Sequence, residues 1–238
     1  MLIKEIRYSD EATNLNGVVV VDDENPLTRP GVLVVHGGAG LDAHARKQAQ
    51  RFAEAGYVAF ACDMYGSDVA GNRAHVLREI NAFRADRARV TGRVKAGLDV
   101  LTSHARVDGR IGVVGYCFGG LVALELARSG IELAAIVSVH GTLTTTQPVE
   151  AGAILTPILA CQGALDPHCS LADAMHFANE MTALKAAWEM VIYGNAMHGF
   201  THEDAKGQMP GVLYDADADA RSLSAIRAFL ARACPPRA

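Results

Sequence analysis

The sequence predicts an α/β fold in one domain spanning residues 1–238: a doubly wound, mostly parallel sheet flanked by helices. Three observations predict it. Short β-branched runs alternate regularly with helical patterns. Several of those runs are apolar at almost every position, as strands covered on both faces are. The 238 residues, half of them hydrophobic, suffice for one large core.

The strand runs are "IKEIRY" at the start, "GVVVV" at 17–21, "GVLVV" at 31–35, "YVAFA" at 57–61 and "RIGVV" at 110–114. They continue with "AAIVSV" at 134–139, "PILACQ" at 157–162 and "WEMVIY" at 188–193. The first two have no helix between them, so an antiparallel edge is expected there. Helical patterns fill the other gaps. Residues 43–55 stop at Gly56 and residues 118–129 stop at Gly130, both natural C-terminal signals. A stretch over 74–103 is expected in two pieces around Gly92. Residues 170–185 open with Ser170 as N-cap and Asp173 behind it. The last helix carries Leu223, Ile226, Phe229 and Leu230 as a core-facing stripe, and the preceding "DADAD" places acids where the helix dipole favours them.

Net charge is −4 with a pI near 6.1, which speaks against a surface for nucleic acid. No apolar run approaches the ~20 residues of a membrane span, and the N-terminus lacks the apolar core of a secretory signal. A cytoplasmic protein is expected. Cysteines 62, 117, 161, 169 and 234 form an odd set, so free thiols are expected rather than a disulfide framework. Cys161, His168 and Cys169 match no zinc spacing, and no metal or other cofactor is expected.

In an open α/β sheet, ligands sit beyond the carboxyl ends of the strands. The chemistry-bearing residues fall there. "VVGYCFGG", Val113–Gly120, runs from a strand straight into a helix, which is the context of a nucleophile elbow written with cysteine. Gly115 and Gly119 remove side chains where strand and helix approach closely. Cys117 stands at a helix start, where the dipole favours thiolate. Asp166 lies four residues past "PILACQ", and His198 lies five past "WEMVIY". Nucleophile, acid and histidine in that chain order, each just past a strand, is the order of α/β-hydrolases. The expected oxyanion donors are the backbone N–H of Phe118 and that of Gly38, in "HGGAG" after the third strand. That loop is neither a dinucleotide fingerprint nor a P-loop.

With these residues the sequence resembles the dienelactone hydrolase (carboxymethylenebutenolidase) family over nearly the whole chain. The resemblance rests on "VVGYCFGG", "GYVAFACDMYG", "QGALDP" and "MHGF". It implies a single α/β-hydrolase domain with a Cys117–Asp166–His198 triad, hydrolysing a small ester or lactone without a cofactor. Two places depart from the family pattern. A glutamate often found in the loop after the third strand, tied there to thiol activation, is replaced by Gly37. An arginine that holds substrate carboxylate after the catalytic histidine is replaced by Thr201-His202, leaving Arg73 or Arg78 as the candidate cation. His36 is expected to fix its loop. The substrate walls are expected from Tyr65, Tyr116, Phe118, Phe200 and the 63–73 loop. The expected partner is a small molecule, and the chain is expected as monomer or homodimer. Two alternatives stand beside this: a thioesterase or other acyl hydrolase on the same triad, and a non-catalytic ligand binder or thiol sensor on the same fold.

Overall fold

The structure, a computed structural model, describes residues 1–66, 69 and 72–236. Eight strands form one sheet: β1 (Leu2–Asp10), β2 (Thr13–Val21), β3 (Arg29–Val35), β4 (Val58–Cys62), β5 (Val107–Tyr116), β6 (Ala135–Val139), β7 (Ile158–Gly163) and β8 (Trp188–Tyr193). Their order across the sheet is β1-β2-β4-β3-β5-β6-β7-β8. β1 pairs antiparallel with β2, as the missing helix between them implied, and β2 also pairs antiparallel with β4. From β4 to β8 every pairing is parallel. The result is a single α/β domain of the doubly wound kind.

Among the described residues, six helices cover the sheet: α1 (Ala43–Glu54), α2 (Arg73–Ala85), α3 (Arg87–Thr102), α4 (Phe118–Arg128), α5 (Leu171–Ala183) and α6 (Ala216–Ala233). Alternate residues of each central strand point into opposite layers, because side chains alternate across a strand. Leu33, Val35 and Val113 pack with Val94, Leu124 and Phe177 on one face. Val32, Val34 and Val114 pack with Phe52, Ile226 and Leu230 on the other. β3, β4, β6 and β7 are buried at every position, which is why their sequences carry no alternation.

Caps fix the helix starts. The Asp42 side chain accepts from the Ala45 amide, and Ser170 and Asp173 form a reciprocal capping box on α5. Asp215 caps α6 through the Ala218 amide. One boundary differs from the sequence expectation. The 74–103 stretch breaks at Asp86, not at Gly92, which lies inside α3. Asp86 takes an extended conformation (φ −138°, ψ 97°) and its side chain accepts from the Arg89 amide, so it ends one helix and caps the next. A capping aspartate outweighs a mid-helix glycine, whose cost is only about 1 kcal/mol.

Candidate active site

The elbow between β5 and α4 is built by contact distance. A Cβ on Gly115 would lie 1.8 Å from the Gly119 carbonyl oxygen, and one on Gly119 would lie 2.2 Å from that of Val35. Only glycine permits strand, turn and helix to come this close. Cys117 holds φ 54°, ψ −114°, a strained conformation for a residue with a side chain. Its amide donates to the Val139 carbonyl (3.0 Å), tying the turn to β6.

His198 Nε2 lies 3.1 Å from Cys117 Sγ, and His198 Nδ1 lies 2.9 Å from Asp166 Oδ2. Asp166 is buried but fully served. Its Oδ1 accepts from the amides of His168 (2.7 Å) and Cys169 (3.2 Å), and its Oδ2 also accepts from Gln162 Nε2 (3.0 Å). Because a carboxylate only accepts, the imidazole must present Nδ1–H to it, which leaves Nε2 for the sulfur. Burial opposes charge on both partners. On Cys117 it is outweighed by the hydrogen bond and charge of His198 and by the amides of Gly38 and Phe118, so the thiol is held below its ordinary value. On His198 it is outweighed by Asp166 and Cys117, which raise the imidazole to about 10. Both shifts favour a thiolate–imidazolium pair at neutral pH.

The Gly38 and Phe118 amides, the two expected oxyanion donors, thus both point at the sulfur. Gly37 stands beside it: a Cβ there would sit 3.4 Å from Cys117 Cβ and 4.0 Å from His202 Nε2, ordinary contact distances. His36 fixes the loop. Its Nδ1–H donates to the Gly37 carbonyl (2.7 Å) and its Nε2 accepts from the Met64 amide (3.0 Å).

A cavity of about 1000 Å³ opens on Cys117 and His198. Phe118 and Arg73 line it, as expected, whereas Arg78 does not. Three expected wall residues are elsewhere. Tyr116 lies under α1, its hydroxyl donating to Gln48 Oε1 (3.1 Å), because strand alternation turns it to the face opposite the cavity. Phe200 is fully buried among Tyr193 and His140. Tyr65 is buried behind Phe118, stacked on it at 5.4 Å. Within the 63–73 loop, residues 67, 68, 70 and 71 lie outside the described residues. The walls come instead from α2 and from Met209, Pro210 and Val212.

Five further residues back the site: His44, Gln48, His140, Thr201 and His202. His140 (φ 39°) is fully buried at the end of β6, with its ring edge-on to His198 at 5.3 Å. His140 Nε2 and His44 Nε2 both bond Thr201 Oγ1, at 2.8 and 2.9 Å. Arg51 and Tyr116 both donate to Gln48 Oε1, so Gln48 Nε2 donates to His44 Nε2. His44 Nε2 is therefore an acceptor, Thr201 donates to it, and His140 Nε2–H donates to Thr201. Burial holds both histidines neutral, His44 pushed down to about 2. His202 stacks on His44 at 3.8 Å. Position alone gives no signal for this cluster, since its histidines lie far apart in sequence. The positive φ of His140, directly after a strand, is a structural signal only.

The model of the dienelactone hydrolase family matches residues 15–234. The chain belongs to the dienelactone hydrolase family. Among relatives, it is 28% identical over 185 residues to the "probable 2-oxo-3-(5-oxofuran-2-ylidene)propanoate lactonase" of Bradyrhizobium sp, covering 73% of this chain and 74% of the other. Among solved structures, a dienelactone hydrolase-like promiscuous phosphotriesterase from metagenomic libraries superposes with a TM-score of 0.90 at 35% identity, covering 98% of each chain. A dienelactone hydrolase from Anabaena variabilis shares the fold, with a TM-score of 0.70 at 19% identity over 98% of each chain. Membership makes this an ester or lactone hydrolase of small molecules. Among the described residues, no helix is long and apolar enough to cross a membrane.

Proposed function

We propose that this dienelactone hydrolase relative cleaves a small ester or lactone through a covalent thioester on Cys117. The observation that carries the reading is the Cys117 Sγ–His198 Nε2 approach of 3.1 Å, with His198 Nδ1 anchored 2.9 Å from Asp166. The thiolate attacks the substrate carbonyl, and the resulting oxyanion is held by the amides of Gly38 and Phe118. The carbon–oxygen bond then breaks as His198 Nε2–H gives its proton to the departing alkoxide. Neutral His198 next takes a proton from water, whose hydroxide attacks the thioester and expels the thiolate, and the product carboxylate is released. Asp166 keeps the imidazole in the required tautomer throughout. Arg73, at the cavity, supplies a cation for an anionic substituent. A cytosolic location suits five free thiols.

The test is hydrolysis of p-nitrophenyl acetate and a small lactone panel by the natural chain, Cys117→Ala and Cys117→Ser. Loss of turnover in Cys117→Ala with folding intact is expected, and unchanged turnover would sink the mechanism. A phosphotriester joins the panel because the 35% identical metagenomic relative is named for that activity.

A further inference from the structure

Helix α2 presents one face to the cavity. Arg73, Val76, Leu77, Ile80 and Arg84 all line it, at the spacing of a single helical stripe. Three apolar side chains occupy the middle of this stripe, with a guanidinium at each end. Ile80 sits over the oxyanion loop, its Cδ1 3.7 Å from where a Cβ on Gly38 would be. Leu77 is 50% exposed and Met209 is 54% exposed, so the cavity rim carries large apolar groups facing solvent. No Asp or Glu lines the cavity among the described residues. A butenolide-sized molecule leaves most of about 1000 Å³ unused.

The chemistry orients the occupant. The leaving oxygen must lie on the side of His198, which gives it a proton. His198 is pinned to the 208–213 segment, its amide donating to the Gly211 carbonyl (3.0 Å) and its carbonyl accepting from the Leu213 amide (3.1 Å). The alcohol part therefore lies towards Met209, Pro210 and Val212. The acyl part points the other way, under α2. From Ile80 to Arg73 the helix advances seven residues, about 10 Å.

We propose that the preferred substrates are esters of medium-length apolar acids, of about six to eight carbons by that 10 Å span, with the acyl chain lying along Ile80, Leu77 and Val76. This rests on the reading of Cys117 as nucleophile and deepens it. Chains longer than the stripe meet the Arg73 guanidinium and lose the advantage. A methylene fully withdrawn from water is worth about fourfold in affinity, and one lying in a groove open on one side about twofold. Four added methylenes should then raise kcat/KM about fifteenfold from acetate to hexanoate.

The experiment is kcat/KM for p-nitrophenyl acetate, butyrate, hexanoate, octanoate and dodecanoate, with one leaving group throughout. Rates should rise to hexanoate or octanoate and fall at dodecanoate. The hexanoate-to-acetate ratio should drop several-fold in Leu77→Gln, whose exposed site leaves folding untouched, and in Ile80→Ala. It should keep its natural value in Met175→Gln, a 63% exposed residue of α5 outside the cavity. A flat or falling series, or Leu77→Gln with the natural ratio, overturns the proposal. So does a length preference found only on the alcohol side, in alkyl acetates. Turnover of no ester, with Cys117 still alkylated by iodoacetamide, is a different result: it removes the hydrolase reading itself, and the proposal with it.

Discussion

Asp166→Asn should separate catalysis from folding at this site. Asp166 is 3% exposed and accepts four hydrogen bonds, two from backbone amides on Oδ1 and two on Oδ2 from Gln162 and His198. An asparagine oxygen can keep the two backbone amides, which turns its NH₂ towards Gln162 and His198. Gln162 can adapt, because its Oε1 has no partner and a flip of the amide lets it accept. His198 can adapt only by moving its proton to Nε2, where it donates to the sulfur and no longer serves as base. The loss of the carboxylate also removes a main support of the imidazole's value of about 10. With the tautomer wrong, kcat should fall by about 10³–10⁴, or about 4–5.5 kcal/mol. With one end of the Gln162 amide unpartnered before and after the flip, stability should drop by about 1 kcal/mol, a few degrees in Tm. Ester hydrolysis, iodoacetamide alkylation of Cys117 and a thermal melt read these effects. A kcat within tenfold of the natural chain would refute the tautomer argument, and a Tm loss above about 10 °C would mean that Asp166 chiefly holds its loop.

Iodoacetamide at pH 7 should label Cys117 alone, because burial pushes Cys169 and Cys234 up to about 11 and Cys161 up to about 12, while Cys117 is held low; peptide mapping checks this. Hydrolysis should fall on the acid side as the thiolate gains a proton, and on the alkaline side near pH 10 as His198 of the free enzyme loses the one it must donate, which a kcat/KM–pH profile resolves. Gly115→Ala forces a Cβ to within 1.8 Å of a backbone oxygen and should cost about 3 kcal/mol or more, seen as lost soluble yield or a melt lowered by about 6–12 °C. Glu125 is buried between Arg87 (2.7 Å) and Arg128 (3.0 Å), so Glu125→Ala should cost about 3–5 kcal/mol by stranding charge, again read as Tm.

Much of this site is legible in the chain because each of its parts obeys a local rule. Cys117, Asp166 and His198 each follow a strand run, and the parallel sheet gathers those ends at one edge. The glycines at 115 and 119 announce a close approach before any coordinate does. The walls are harder to read. Tyr116 and Phe200 sit one and two residues from catalytic positions in sequence, yet both are core: Tyr116 because one residue along β5 reverses the face, Phe200 because its turn carries it in against Tyr193 and His140. The stripe of Arg73, Val76, Leu77, Ile80 and Arg84 is periodic, yet periodicity cannot tell a face that meets the core from one that meets a cavity. The His44–Thr201–His140 chain joins residues up to 157 apart, beyond any local pattern.

The placement of Trp188 turns the protein into its own folding gauge. It is the only tryptophan in the chain, and it opens β8, the edge strand whose far end leads to His198. Its ring meets Phe177 of α5 edge-on at 6.1 Å. Gly38, Cys117, Asp166 and His198 follow β3, β5, β7 and β8, so the reacting atoms meet only after the five connections from β3 through β8 have closed. Such long-range parallel pairing forms slowly. Indole fluorescence therefore reports the arrival of the last strand, and the return of ester turnover reports the completion of the whole sheet edge; the lag between the two signals is the time the chain spends with β8 docked and its chemistry still unassembled.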